Sequence, residues 1–78
     1  MCTFVDGVAN SVSDETIGRT ITPQECGNLV LKTKPLANGA TWDKNTDECY
    51  AEFSASNIDH DVLGSLQTCI FEGGYMLK

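Results

Sequence analysis

The pattern of hydrophobic and polar positions predicts one α-helix, from Pro23 to about Thr33. Thr22 suits the N-cap, where its hydroxyl accepts a backbone N–H, and a proline fits the first helical position. The helix is expected to end before Pro35, because the residue preceding a proline is disfavoured in the α conformation. Its core-facing residues are spaced three and four apart: Cys26, Leu29, Val30 and Thr33.

A β-hairpin is predicted after the helix. Residues 39–42 form its first strand, and residues 43–47, rich in Asp and Asn, form its turn. The second strand alternates strictly, which indicates one buried face and one exposed face. Cys49, Ala51 and Phe53 lie on the face predicted to be buried, whereas Glu48, Tyr50 and Glu52 lie on the face predicted to be exposed.

Shorter apolar runs predict three further strands, at residues 2–5, 16–21 and 67–71, and the last strand is expected to pair near the first. Gly18 marks a bulge or a close backbone approach. Polar stretches at residues 9–15 and 54–61 are predicted to be surface loops, and residues 62–66 a helical turn or an irregular edge. These elements predict an α+β fold in which one helix is joined to a sheet. The domain is expected to cover residues 1–72, with 73–78 as a tail or linker.

The four cysteines allow three disulfide pairings. Cys26 and Cys49 each lie on the core side of their element, which predicts the bond Cys26–Cys49, and Cys2–Cys69 then joins the two ends of the domain. In the loop-entropy account, loops of about 24 and 68 residues contribute roughly 3.4 and 4.4 kcal/mol. Because no CxxC pair is present, disulfides are favoured over a zinc site. Two disulfides predict an oxidising compartment, and hence a secreted or extracellular protein.

Composition narrows the range of partners. The chain has 78 residues, 41% of them hydrophobic, which is enough for one small globular domain. Its formal net charge of −6 disfavours nucleic acid, anionic membrane and heparin-like partners. No apolar run approaches the roughly 20 residues that cross a bilayer, so no membrane insertion is expected.

The chain carries, in order, Cys2, a helix opening at residues 22–26, the segments 38–42, 44–46 and 48–50, and Cys69. Together these features resemble the PAN/apple domain family, over residues 2 to about 71. In that family a small antiparallel sheet cradles one helix, the outer cysteines join the termini, and two bonds tie the helix to the central hairpin. The resemblance implies adhesion or recognition, by binding proteins or carbohydrates, without catalysis.

One helix–loop bond of that family is missing from this chain. Its two cysteine positions fall on Val30 and Ala37, so both partners are replaced by apolar residues and no unpaired thiol results. The resemblance therefore implies a variant with two disulfides, in which Cys26–Cys49 is the remaining bond between helix and hairpin.

The predicted function is extracellular protein–protein recognition without a cofactor, and the alternative is a lectin-type carbohydrate-binding module. Packing is favoured for the aromatic residues, but an exposed aromatic ring could stack on a sugar or anchor a protein contact. Self-association through a sheet edge is a further possibility. The candidate binding residues are Trp42, Tyr50, Glu48 and Glu52.

Enzymatic and metal-binding roles are disfavoured. His60, the sole histidine, has no thiol partner once the cysteines are bonded. Residues 43–47 begin like a calcium loop, but Glu48 stands where that loop needs glycine and Ser54 where it needs a bidentate glutamate. Residues 59–61 fit a solvated loop better than a metal site. A protease inhibitor would need a rigid reactive loop, and residues 54–61 have no bracketing disulfide.

Overall fold

The computed structural model describes residues 2–60 and 64–71. The elements are β1 Val5–Asp6, β2 Val8–Asn10, β3 Ser13–Arg19, α1 Pro23–Thr33, β4 Gly39–Asp43, β5 Glu48–Phe53, β6 Asn57–Asp59 and β7 Leu66–Ile70. The strands pair antiparallel in two groups: a central sheet in the order β1-β7-β4-β5-β3, and a ribbon formed by β2 and β6. The predicted α+β class is confirmed, with disulfides Cys2–Cys69 and Cys26–Cys49.

Helix α1 begins and ends where its sequence signals predict. The Thr22 hydroxyl accepts the backbone N–H of Glu25 at 3.2 Å, and the Glu25 carboxylate reaches back to the N–H of Ile21 at 3.0 Å. These two bonds satisfy N–H groups that a helix start would otherwise leave unpaired. At the other end the N–H of Lys34 donates to the carbonyl of Val30 at 2.8 Å, just before the proline.

One face of the central sheet packs against α1 and holds the apolar core. The helix lies over β4 and β5, and the Cα atoms of Cys26 and Cys49 are 5.4 Å apart. Val30 is fully buried and Ala37 is 9% exposed, and both belong to this core. These are the two positions at which the resemblance to PAN/apple domains implies cysteines. The buried hydrophobic residues are Cys26, Val30, Ala37, Ala40, Trp42, Cys49, Ala51, Cys69 and Phe71.

The β2–β6 ribbon crosses the opposite face of the sheet. Strands β1 and β3 lie at opposite edges, so the chain between them must span four strand spacings, about 19 Å. Residues 7–12 make this crossing, and β2 contacts β7 and β4 on the way. Gly7 starts it with a φ of +147°, where an added Cβ would lie 2.6 Å from the Asp59 carbonyl oxygen. Only a glycine fits this position without distortion.

The ribbon is the main departure from the predicted elements. Residues 9–15 and 54–61 were expected to be loops, but they contain β2, the start of β3, and β6. Three-residue strands paired only with each other carry too short a pattern to be read from the sequence. The first strand is also shorter than predicted, since only Val5 and Asp6 pair with β7.

Other strand predictions are confirmed. Strands β4, β5 and β7 appear as expected, and β7 lies between the first strand and β4. The pairing of β3 with β5 shifts register between Thr16 and Gly18, which is the predicted bulge. Residues 61–63 and the predicted tail at 73–78 lie outside the described residues, so the helical-turn alternative for 62–66 concerns a segment described only from Gly64 onward.

Candidate functional site

Trp42 is a packing residue. Its side chain is 8% exposed and belongs to the apolar core. The indole N–H donates to the carbonyl of Thr20 at 3.0 Å, which satisfies the only polar group of the ring. The favoured packing role is therefore confirmed, and the indole face is not available to a sugar or a protein partner.

Glu52 is also buried, at 2% exposure, so the expectation that it is exposed is wrong. Strand alternation places it on the face opposite the helix, as predicted, but the ribbon covers that part of the face. Its carboxylate accepts hydrogen bonds from the hydroxyls of Ser11 at 2.8 Å and Thr41 at 2.7 Å. Burial raises the pKa of Glu52, while these two hydrogen bonds act in the opposite direction.

Tyr50 and Glu48 are half-buried and remain accessible on the same face. The Tyr50 phenol donates to the Glu48 carboxylate at 2.6 Å. This hydrogen bond, followed by burial and by nearby acidic charge, raises the pKa of Tyr50 to about 12. Of the four candidate binding residues, these two therefore stay on the surface, as a hydrogen-bonded pair.

The structure brings together a different set of surface residues, in an open depression of about 530 Å³ that we call the α1–β3 groove. It lies between the end of β3 and the side of the helix that carries Glu25, Asn28, Leu29 and Lys32. The side chains that define it are Arg19, Ile21, Glu25, Asn28, Leu29 and Lys32.

The groove carries two positive charges, although the chain as a whole is acidic. Neither Arg19 nor Lys32 forms an ion pair or side-chain hydrogen bond with any residue the structure describes, whereas Lys34 pairs with Glu15 at 3.0 Å. The one acid that lines the groove, Glu25, is engaged by the backbone at the helix start. Two cations therefore face solvent beside apolar side chains.

Ile21 gives the groove its exposed apolar group, being 78% exposed. It stands at the position before the N-cap, where an apolar residue often packs against the fourth helical residue. That residue here is Cys26, which is fully buried and bonded to Cys49. The usual partner of Ile21 is thus taken by the core, and its side chain remains in solvent.

Sequence reasoning missed this groove because it assigned Ile21 to the end of a strand. The available signal was local: an apolar residue before Thr22, combined with a cysteine four residues after the N-cap. Neither residue signals a surface site alone. Arg19 follows the bulge in β3, and its position beside the helix is seen only in the structure.

Two further features are absent from the described part of the chain. It contains no cluster of three or more His, Cys, Asp or Glu side chains arranged to hold a metal, and no helix long and apolar enough to cross a membrane. Asp43 accepts a hydrogen bond from the N–H of Asn45 at 2.8 Å, which fits the predicted hairpin turn.

No protein-family model matches this chain, and comparisons with curated proteins and with solved structures likewise return no match.

Proposed function

We propose that this protein is an extracellular recognition module that binds another protein through the α1–β3 groove and carries out no catalysis. The observation that carries the proposal is the exposed side chain of Ile21 beside Arg19 and Lys32, two cations that pair with no described residue. An apolar group rimmed by charge is the arrangement found at the centre of many protein contacts. Two disulfides are consistent with a secreted or extracellular setting.

The groove favours a partner segment that is acidic and also carries an apolar side chain. Arg19 and Lys32 would pair with its carboxylates, and Ile21 with Leu29 would cover its apolar residue. With a net charge of −6, the rest of the protein would repel an acidic segment, so the groove is the place where such a segment can dock. The resemblance to PAN/apple domains, which act in adhesion and recognition, supports the same class of function.

Carbohydrate binding is the second candidate, and the Tyr50–Glu48 pair favours it. An aromatic ring can stack on a sugar ring while the neighbouring carboxylate accepts hydrogen bonds from the sugar hydroxyls. The pair is half-buried and lies on the opposite face from the helix. The two candidate functions therefore use separate surfaces and can be tested separately.

The test is an array of acidic-apolar peptides probed with the disulfide-intact protein, next to a glycan array. Ile21→Asp, and separately the pair Arg19→Glu with Lys32→Glu, should lower peptide affinity by about tenfold or more. Leu36→Asp is the matched control for the first, because Leu36 is 88% exposed outside the groove. Lys44→Glu, in the hairpin turn, is the charge-reversal control for the second.

Either of two results would reject the groove as the binding surface. In one, the groove variants bind peptides as well as the controls do. In the other, only glycans bind, and Tyr50→Ala abolishes that binding while Ile21→Asp does not. The second result would establish the carbohydrate alternative.

A further inference from the structure

A row of buried oxygen atoms links the central sheet to the ribbon. It runs from Oε2 of Glu52 to the Thr41 hydroxyl at 2.7 Å, from there to the Thr68 hydroxyl at 2.9 Å, and on to the carbonyl of Gly7 at 2.9 Å. The three side chains are each 2% exposed or less, so bulk solvent does not reach them. Each distance is that of an O–H···O hydrogen bond.

Counting protons shows that an ionised Glu52 leaves this row one hydrogen short. Both ends of the row, a carboxylate and a backbone carbonyl, can only accept. The Thr41 and Thr68 hydroxyls then have two protons for three contacts, because each hydroxyl supplies one. One pair of oxygen atoms would face each other without a proton, in a buried site where that is costly.

A protonated Glu52 removes the shortage. Its acid proton goes to Thr41, which reverses the direction that this bond has with an ionised carboxylate, Thr41 donates to Thr68, and Thr68 donates to Gly7. Each hydroxyl then accepts once and donates once, and Ser11 still donates to the other carboxyl oxygen at 2.8 Å. All contacts of the row are satisfied in one direction.

We propose that Glu52 keeps its proton well above the pH at which an exposed glutamic acid ionises, about 4.3, and that this proton completes the bonds that fasten the ribbon to the sheet. The fastening points are Gly7 and Ser11, which flank β2 on either side. When Glu52 ionises, two oxygen atoms of the row are left without a proton between them, and opening the ribbon relieves this cost because water then reaches the carboxylate. The ribbon is therefore held less firmly as pH rises. The device is independent of the proposed binding function, which uses the other face.

The charge that acts most directly on Glu52, that of Asp14, favours the neutral form. Asp14 lies directly across from it on β3, and its charge opposes ionisation of Glu52. On β5 itself Glu48 and Tyr50 lie on the same face, while β4 and β7 present the neutral Thr41 and Thr68. The ribbon side adds two exposed acids, Asp6 beside Gly7 and Asp59 on β6. No described cation pairs with Glu52.

The test is a ¹³C NMR titration of the Glu52 side-chain carboxyl in the full, disulfide-intact chain, from about pH 3 to about pH 9, a range that brackets the ordinary value. Glu52→Gln assigns the signal. We expect a midpoint above that of an unstructured glutamic acid. We also expect Thr68→Val to lower the midpoint, because Thr41 then has one proton for one contact and an ionised Glu52 is satisfied.

The Thr68→Val result separates the hydroxyl row from simple burial. In a Thr68→Val protein whose ribbon keeps its amide-exchange protection, burial alone would leave the midpoint unchanged or raise it, since valine is less polar. Thr3→Val, at an exposed position outside the row, is the matched control and should have no effect. A wild-type midpoint at or below the ordinary glutamic acid value would overturn the proposal, and so would a midpoint that Thr68→Val fails to lower.

If Thr68→Val does not fold, Glu52→Gln provides the second test. Its amide N–H donates to Thr41 and its carbonyl accepts from Ser11, so it mimics the protonated acid at every pH. The wild-type ribbon should then lose proteolytic protection relative to Glu52→Gln as pH rises. Equal protection of the two proteins throughout would contradict the proposal.

Discussion

The two faces of the central sheet are held to their covering layers by different kinds of bond. On one face, α1 packs on an apolar core and is joined to β5 by the Cys26–Cys49 disulfide. On the other, the β2–β6 ribbon is joined to the sheet through hydroxyls and the buried carboxyl of Glu52. The attachment of the helix therefore depends on the redox state of Cys26 and Cys49, and the attachment of the ribbon depends on the protonation of Glu52.

This difference follows from how each layer is made. A small domain has a thin stability margin, and disulfides compensate for a limited core. The helix can bury an apolar stripe, whereas a ribbon of two three-residue strands has little apolar surface to offer. Hydrogen bonds replace apolar contact there, and every buried donor and acceptor needs a partner.

The largest expected effect is on the helix face. Reduction of both disulfides should unfold the protein, because their loop-entropy contributions, about 3.4 and 4.4 kcal/mol, are comparable with the whole stability of a small domain. Circular dichroism with and without a reductant at 37 °C measures this. Retention of the native spectrum after complete reduction would show that the apolar core suffices.

A smaller effect is expected from the core alone. Val30→Ala, at a fully buried position under the helix, should lower the free energy of unfolding by about 2–3 kcal/mol through lost apolar contact and a cavity. Leu36→Ala, at an 88% exposed position, is the control and should change it by less than about 0.5 kcal/mol. Urea denaturation compares the two. Equal effects would mean that Val30 is not a core residue.

On the ribbon face the expected effect depends on pH. Since burial raises the pKa of Glu52 in the folded state, the folded protein holds a proton that the unfolded chain releases near pH 4.3. The stabilisation is thus present at acidic pH and is lost as pH rises through the folded-state pKa. Urea midpoints of wild type should fall relative to those of Glu52→Gln over this interval. Parallel curves for the two proteins would argue against it.

The smallest effect concerns Tyr50 at the rim of the ribbon face. Its phenol should ionise near pH 12, mainly because it donates to Glu48. Glu48→Gln should bring its pKa closer to the ordinary tyrosine value of about 10. Ultraviolet titration of each protein, with Tyr50→Phe subtracted, isolates this residue. An unchanged midpoint in Glu48→Gln would assign the shift to burial instead.

The sequence predicted the helix face well because its signals are local. Thr22 and Pro35 bound the helix, and periodicity placed Cys26 opposite Cys49, so the covalent bond followed from two short patterns. The ribbon face was not predictable in the same way. Alternation correctly put Glu52 away from the helix, but nothing local shows that a distant segment covers it.

The candidate binding residues were likewise predicted only where local sequence signals determine their position. Tyr50 and Glu48 were placed on an accessible face, and the packing of Trp42 was favoured. The α1–β3 groove escaped sequence reasoning because it combines residues from the end of a strand, its connection and a helix. The exposure of Ile21 follows only once the burial of Cys26 is known.

Amide hydrogen exchange of the disulfide-intact protein at about pH 5 and about pH 8, corrected for intrinsic exchange, compares the two faces in one experiment. The helix is held by a disulfide and an apolar core, whereas the ribbon is held by hydrogen bonds that need the Glu52 proton. We therefore expect protection of the β2–β6 ribbon to fall at the higher pH while that of α1 is unchanged. Glu52→Gln should abolish the difference. If protection of the ribbon and the helix changed together, or if neither changed, the claim that one face is held covalently and the other by a shared proton would be contradicted.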